Sequence, residues 1–283
     1  DAAIARAKKI TSGGTAIDDH QVLTERVAYA ATEAVAIVAE HGPNARFVAG
    51  GTDLYPNMKR RHQNAAEVVS LAHIEDLQGI DGDGADGSLS IGAMATLREI
   101  EQHPKILEQY PAVAQAVALI SSPLLRNMGT IGGNVANGSP IGDMPPPLIA
   151  LGASLTLRKG SARRTIPLED FFIAYGKQDR QPGEFVEAVH VPLPAENTFF
   201  AAHKVTKRRD EDITAALGAF HLLVEDGTVR SARIAYGGMA ATPKRAKAVE
   251  AALVGKAWTL ETIEAAMEEY STDFAPISDM RAS

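Results

Sequence analysis

Thr130-Ile-Gly-Gly-Asn-Val-Ala-Asn-Gly-Ser-Pro-Ile-Gly-Asp143 decides the reading of this chain. Four glycines, two asparagines, a threonine, a serine and an aspartate crowd into this one stretch. Glycine lets a ligand approach the main chain closely, and successive amides can form a concave nest for phosphate. The stretch is expected to be a loop that offers free amides, two side-chain amides and one carboxylate. Those groups suit a diphosphate joined to a polyhydroxyl chain better than a lone phosphate. The alternative is a tight polar loop between strand and helix.

A second glycine pair stands upstream, in Arg46-Phe-Val-Ala-Gly-Gly-Thr-Asp53. A short apolar strand runs into Gly50-Gly51, where main-chain N–H groups can meet an anion. Thr52 adds a hydroxyl, and Asp53 can accept from a ribose or ribityl hydroxyl. The plain alternative is an ordinary strand-to-helix turn. Gly82-Asp-Gly-Ala-Asp-Gly87 matches the dinucleotide pattern G-x-G-x-x-G in letters only. Its two aspartates repel a pyrophosphate and it precedes a strand, so it reads as a turn. No P-loop is present. Lys204-Val-Thr-Lys-Arg-Arg-Asp-Glu-Asp-Ile213 is the third candidate. On an extended segment Lys204, Thr206 and Arg208 face one way. The bland reading is a solvated edge strand whose ion pairs are worth under ~1 kcal/mol each.

Outward from these loops, the pattern alternates strand and helix. Thr32 is expected to cap a helix ended by Gly42-Pro43. Strands are expected at 46–49, 67–71, 88–93, 154–158 and 185–191, and helices at 97–102, 111–119 and 145–151. Pro192-Leu-Pro194 and the residues after it read as a domain boundary. Ala215–Val224, a turn at Glu225-Asp-Gly227 and Thr228–Tyr236 read as a hairpin. Helices are expected at 244–253 and 260–270. A hairpin followed by helices indicates an α+β unit with an antiparallel sheet.

The 283 residues fit one large domain or two ordinary ones. With 45% hydrophobic and 22% charged residues, the chain can build a core. Its formal charge of −7 makes nucleic-acid binding a poor fit. Aromatics at 5% argue against a base-stacking surface. The absence of Cys excludes disulfides, thiolate zinc sites and iron–sulfur clusters within this chain. None of the 8 His falls in a metal-binding pattern, so no metal site is expected. No apolar run approaches the ~18 residues of a membrane span. Neither a secretory signal nor an initiator Met is present, and residues 1–24 are read as a linker.

The ordered set F-V-A-G-G-T-D (Phe47–Asp53), T-I-G-G-N-x-A-N-G-S-P-I-G-D (Thr130–Asp143), L-E-D-F-F-x-x-Y (Leu168–Tyr175) and K-x-x-K-R-x-x-x-D-I (Lys204–Ile213) resembles the FAD-binding domain of molybdenum hydroxylases. The likeness is nearest to the FAD part of bacterial xanthine dehydrogenases and covers about residues 25–283. The tail Pro276–Ser283 resembles those enzymes too. The resemblance implies an α+β fold: a PCMH-type FAD-binding domain with two subdomains over 25–194. A smaller domain like the carbon monoxide dehydrogenase flavoprotein C-terminal domain would follow over 195–283.

By the same resemblance, Arg46, Phe47, Val48, Ala49, Gly50, Gly51, Thr52 and Asp53 would wrap the FAD pyrophosphate. Thr130, Ile131, Gly132, Gly133 and Asn134 would complete the cradle. Asp143 would take a polar edge of the cofactor, and Ile120 and Val186 would lie against the isoalloxazine ring. Animal relatives carry an aromatic where Ile120 stands, so apolar contact replaces ring stacking. Lys204 would contact the cofactor, and Glu211 falls where an acidic residue comes near the flavin. No catalytic side chain is expected here, since the redox chemistry belongs to the cofactor.

The implied function is the electron-transfer part of a xanthine dehydrogenase complex. Electrons would come from 2Fe-2S clusters after oxidation of hypoxanthine or xanthine at a molybdopterin centre, and would leave as hydride to NAD+ or pass to oxygen. An iron–sulfur domain and a molybdopterin-binding subunit are the expected partners, in a cytoplasmic hetero-oligomer. The alternatives are the flavin subunit of another molybdenum hydroxylase (for carbon monoxide, aldehydes or an aromatic acyl-CoA) and a non-redox nucleotide-binding scaffold.

Overall fold

The computed structural model describes residues 24–41, 45–61, 67–81, 88–209 and 211–282. The expected linker lies outside these except at Thr24, which already opens the first strand. The Gly82–Gly87 turn lies outside them entirely.

A small sheet comes first. Strands β1 (Thr24–Val27), β2 (Ala45–Val48) and β3 (Glu67–Ser70) pair in parallel, with β3 between the other two. Helices Ala31–His41 and Leu54–Arg61 make the crossovers that parallel pairing requires. The first of them starts one residue before the expected cap. Thr32 sits inside its first turn, and the Glu33 carboxylate accepts from the Tyr29 N–H at 2.9 Å. A carboxylate one turn in can satisfy an orphan N–H at the helix start, so the threonine hydroxyl is not needed there.

The second sheet carries the main core. Its strands are β4 (Ile80–Asp81), β5 (Leu89–Gly92), β6 (Ser154–Lys159) and β7 (Ala162–Pro167). After a two-stranded ribbon, β8 (Phe172–Ala174) with β9 (Lys177–Gln178), comes β10 (Phe185–Val191). The order is β4-β5-β10-β6-β7, antiparallel throughout. Leu155, Leu157 and Val189 bury their side chains against Ile100, Val117, Ile131 and Leu148 on the helices that cover this sheet. Strand β10 bulges between Val186 and Ala188. A bulge re-aims side chains, and here Phe185 and Val186 both reach one cavity.

The last sheet is antiparallel: β11 (Thr198–Val205), β12 (Ala216–Glu225), β13 (Thr228–Gly237) and β14 (Lys244–Arg245). Asp226 (φ 50°) and Gly227 (φ 70°) make the two-residue turn between β12 and β13, as hairpin twist demands. Alternation then divides the sheet. Leu217, Ala219 and Ala235 join the main core, while Leu222, Ala232 and Ile234 pack under the helices Lys247–Leu253 and Leu260–Met267. The central strands β12 and β13 thereby bury side chains on both faces and tie the last third of the chain to the rest. The expected helices are shorter than the pattern suggests: 244–245 pair as β14, and 260–270 breaks after Met267.

At the β7 edge, arginines and carboxylates pair densely. Arg164 grips Glu184 through two bonds of 2.8 Å and Asp179 through one of 2.8 Å. The Arg164 hydrogen bond is the main reason the Glu184 carboxyl sits below its ordinary value of 4.5. A carboxylate depressed on folding stabilises the fold above its unfolded value and loses that contribution as pH falls through the folded one. Thermal stability should therefore drop on acidification below about pH 4.5. Glu184→Gln should flatten that part of the Tm–pH curve. A curve with unchanged shape in the variant would remove this pair from the acid response.

Candidate functional site

A cavity of about 810 Å³ opens between the small sheet, the bulged β10 and the segment 120–137. The Arg46–Asp53 stretch lines one wall. Gly50 has no room for a side chain: a Cβ there would stand 1.7 Å from the Met128 carbonyl oxygen. Gly51 has φ +70° and backs onto the Tyr55 ring. The main-chain N–H groups of Gly50, Gly51 and Thr52 have no acceptor among the described residues. Asp53 is already engaged, since its Oδ2 accepts from Asn57 Nδ2 at 2.7 Å.

The second motif departs from expectation. Ile131–Asn137 is a helix, not a loop, and Thr130 caps it by accepting from the Gly133 N–H at 3.1 Å. Its amides are consequently not free. The Ile131 N–H bonds Ala95 O at 3.0 Å, that of Gly132 bonds Ala93 O at 2.9 Å, and that of Asn134 bonds Thr130 O at 2.9 Å. Only the Thr130 N–H in this group has no acceptor among the described residues. Gly132 serves close packing, because a Cβ there would lie 2.6 Å from that of Ala93. Gly138, left-handed at φ 63°, closes the helix. Thr130, Gly132, Gly133 and Asn134 line the same cavity as the first loop, whereas Ile131 is fully buried in the main core. The two motifs do meet: a Cβ on Gly133 would be 3.8 Å from that of Ala49. Asn134 Oδ1 is buried without a hydrogen-bond partner among the described residues.

Ile120 and Val186 both line the cavity. Ile120 is presented by a tight turn in which Ser121 takes φ 52°. Buried Arg126 holds that turn, its guanidinium donating to the carbonyls of Ala118, Ile120 and Ser121 at 2.9, 3.0 and 3.2 Å. Lys204 holds the same turn from the last sheet, with Nζ 3.1 Å from Leu119 O and 2.9 Å from Asp143 Oδ2. Asp143 Oδ1 also accepts from the Thr214 hydroxyl. Asp143 and Lys204 are thus bonded to each other behind the cavity wall, and neither is among the lining residues. Thr206 and Arg208 do not join Lys204. Strand β11 ends at Val205, the Thr206 hydroxyl donates to Arg208 O, and Arg208 pairs with Asp212. Glu211, exposed at φ 52°, is not a lining residue.

Sequence reasoning missed several lining residues: Met94, Leu125, Arg180 and Phe185. Arg180 stands in the polar stretch Gln178–Gly183, where no motif marks it. No cluster of three or more His, Asp or Glu able to hold a metal occurs among the described residues. Among them, too, no helix is long and apolar enough to cross a membrane.

Residues 26–194 match the family model described as the FAD binding domain in molybdopterin dehydrogenase. This chain belongs to that family. Residues 201–283 match the CO dehydrogenase flavoprotein C-terminal domain. The flavin-binding chain is 33% identical over 249 residues to the carbon monoxide dehydrogenase medium chain of Hydrogenophaga pseudoflava, covering 88% of this chain and 86% of the relative. It is 31% identical over 252 residues to the putative xanthine dehydrogenase FAD-binding subunit XdhB of Escherichia coli strain K12, covering 89% and 86%. In structure it resembles a chain of the carbon monoxide dehydrogenase from H. pseudoflava, with TM-score 0.88 at 34% identity, covering 92% of this chain and 90% of that one. The flavin-binding chain is thus part of a molybdenum hydroxylase, an oxidoreductase. Relatives named for carbon monoxide and for xanthine stand at nearly equal identity.

Proposed function

We propose that the cavity between the two glycine motifs holds FAD, and that the chain is the flavin station of a xanthine-type molybdenum hydroxylase. The observation that carries the flavin reading is the pairing of two features in one cavity. Among the described residues the amides of Gly50, Gly51 and Thr52 lack acceptors, and so does the Thr130 N–H of the second motif, which lines the same cavity. Buried polar groups without partners are rare in folded chains and mark places where a ligand supplies the partner. The residues fit a flavin dinucleotide. The free amides and the Thr130 N–H suit a diphosphate, and Ile120, Leu125 and Val186 offer apolar cover for a ring system. Such a mixture, apolar walls with a few convergent polar groups, is the usual make-up of a cofactor pocket.

When bound, FAD supplies the electron and hydride transfer. This chain's residues bind it, orient it and hold its surroundings. Arg126 and Lys204 fix the turn that carries Ile120, so the apolar surface facing the ring is held from two sides. The chain has no Cys to hold a cluster, so 2Fe-2S clusters belong to partner chains or domains of a hetero-oligomer, to which the family reading also assigns molybdopterin. Lys207–Ile213 and Asp279–Ser283 favour the xanthine type, with NAD+ or oxygen as acceptor. The similarity to carbon monoxide dehydrogenase medium chains favours a carbon monoxide-oxidising relative as the second reading.

The purified chain is expected to be yellow, absorbing near ~450 nm and releasing one FAD per chain on denaturation. A colourless protein that stays colourless with added FAD overturns the flavin reading and favours a non-redox scaffold. In the assembled enzyme, xanthine should bleach that band anaerobically and NAD+ should restore it. Bleaching by carbon monoxide instead would decide for the second reading.

A further inference from the structure

Many arginines among the described residues have carboxylate partners. Arg158 and Arg163 pair with Glu187, Arg164 with Glu184 and Asp179, and Arg233 and Arg245 with Glu169. Arg46 and Arg180, both exposed, differ. Neither has a hydrogen bond or ion pair among the described residues, and both line the cavity. Arg46 comes from β2, and Arg180 from the connection between β9 and β10. Glu184, the acid whose field reaches Arg180, is already committed to Arg164. The only carboxylate among the lining residues, Asp53, is bonded to Asn57.

Arg180 is accessible because the cavity is open, while protein crowds its other sides. Desolvation, and then repulsion from Arg46, push its guanidinium below its ordinary value. Two like charges facing one space without a counter-charge are unfavourable in the free protein, and an anion between them relieves the cost. Guanidinium groups bind phosphate oxygens through short charge-assisted hydrogen bonds, often two at a time.

We propose that Arg46 and Arg180 clamp the diphosphate of the bound dinucleotide, two guanidinium groups answering its two negative charges. The inference rests on the reading of the cavity as a FAD site and deepens it at Arg180, which no motif marks. Gly50–Thr52 supply amides to the same anion, so the clamp adds charge where the main chain supplies only dipoles. The same phosphate chemistry could reach the arginines from a pyridine nucleotide entering the cavity, and the test separates the two sources.

Arg180→Gln, Arg180→Lys and the hairpin control Arg230→Gln are prepared in the full chain within its native complex. Flavin is removed, and FAD rebinding is followed by fluorescence at low and high salt. Arg180→Gln is expected to raise the FAD Kd about ten-fold or more. It should also make the dependence of Kd on salt shallower, since one screened charge is gone. Arg180→Lys should retain most of the affinity, and Arg230→Gln should match wild type.

Wild-type affinity in Arg180→Gln overturns the clamp. So does a raised Kd with an unchanged salt dependence, which would mean the side chain only shapes the cavity. Loss of NAD+ binding with intact FAD binding assigns the arginines to the pyridine nucleotide and overturns it as well. If Arg180→Gln does not fold, the wild type decides with Arg180→Lys: salt-insensitive FAD binding overturns the clamp. A wild type that takes up no FAD removes the flavin reading and the clamp with it, whereas a normal Arg180→Gln removes only the clamp.

Discussion

Gly50→Ala should cost about 3 kcal/mol or more of stability, at the upper end for overpacking. It should lower Tm by roughly 6–12 °C in a chain of this size, and bound flavin should fall with it. The added methyl would lie 1.7 Å from Met128 O, 2.5 Å from Met128 C and 3.2 Å from Gly129 N. All three are main-chain atoms, so no rotamer change relieves the collision. Nor can the Met128–Gly129 segment yield easily. Both N–H groups bond Leu125 O, and Gly129 O accepts from the Leu97 N–H at 2.8 Å. The first glycine motif and the chain leading into the second would be pried apart, which widens the cavity between the Gly50–Thr52 amides and the Thr130 N–H. Gly133→Ala is the contrast. Its Cβ would meet Thr130 Oγ1 at 3.0 Å and Ala49 Cβ at 3.8 Å, contacts that a small shift accommodates. Its Tm should stay far closer to wild type. Equal melting of Gly50→Ala and wild type would mean the two motifs do not touch as described.

That contact explains what the sequence could and could not reveal. Glycine pairs at Gly50-Gly51 and Gly132-Gly133 mark two places where main chain approaches something closely. For Gly50 and Gly132 that something is other main chain, as the Met128 and Ala93 contacts make plain. A glycine needed for packing and a glycine needed for a ligand look identical in sequence. The same ambiguity hid the helix at Ile131–Asn137. Glycine costs a helix about 1 kcal/mol per residue relative to alanine, so two in succession read as loop. The Thr130 cap and the bonds to Ala93 and Ala95 offset that cost; the cap is local, but the bonds depend on the segment that follows β5, some forty positions upstream.

The hairpin at Glu225-Asp-Gly227 was legible because its signal is local: a strand pattern, two turn residues that accept positive φ, and a second strand pattern. Strand β10 was legible for the same reason, but its bulge was not. Glu187 is the extra residue at the bulge, and its carboxylate takes Arg158 and Arg163 at 2.6 Å each; no local pattern announces such partners. The parallel order of the first sheet and the exposure of Arg180 to the cavity belong to the same class. They arise from which surfaces meet, and the chain's own periodicity does not encode them.

Lys204→Met tests how the last sheet is coupled to the flavin cavity. Lys204 and Asp143 side chains are 5% and 10% exposed, and their ion pair spans β11 and the approach to the helix Pro145–Ala150. Removing one partner of a buried pair leaves the other charge without compensation, at a cost of about 3–5 kcal/mol. Asp143 would keep only the Thr214 hydroxyl, and Leu119 O would lose its donor. The turn carrying Ile120 would then be held by Arg126 alone, with Ser121 still at a positive φ that favours relaxation. Two results are expected: a Tm drop larger than any surface lysine would give, and a shift of the flavin's visible band as the apolar cover loosens. Asp143→Asn added to Lys204→Met should recover part of the loss, because the neutral amide still accepts from Thr214 and no longer needs a cation. A single variant within about 1 kcal/mol of wild type, the range of an exposed ion pair, would mean that the pair is solvated and does not brace the turn.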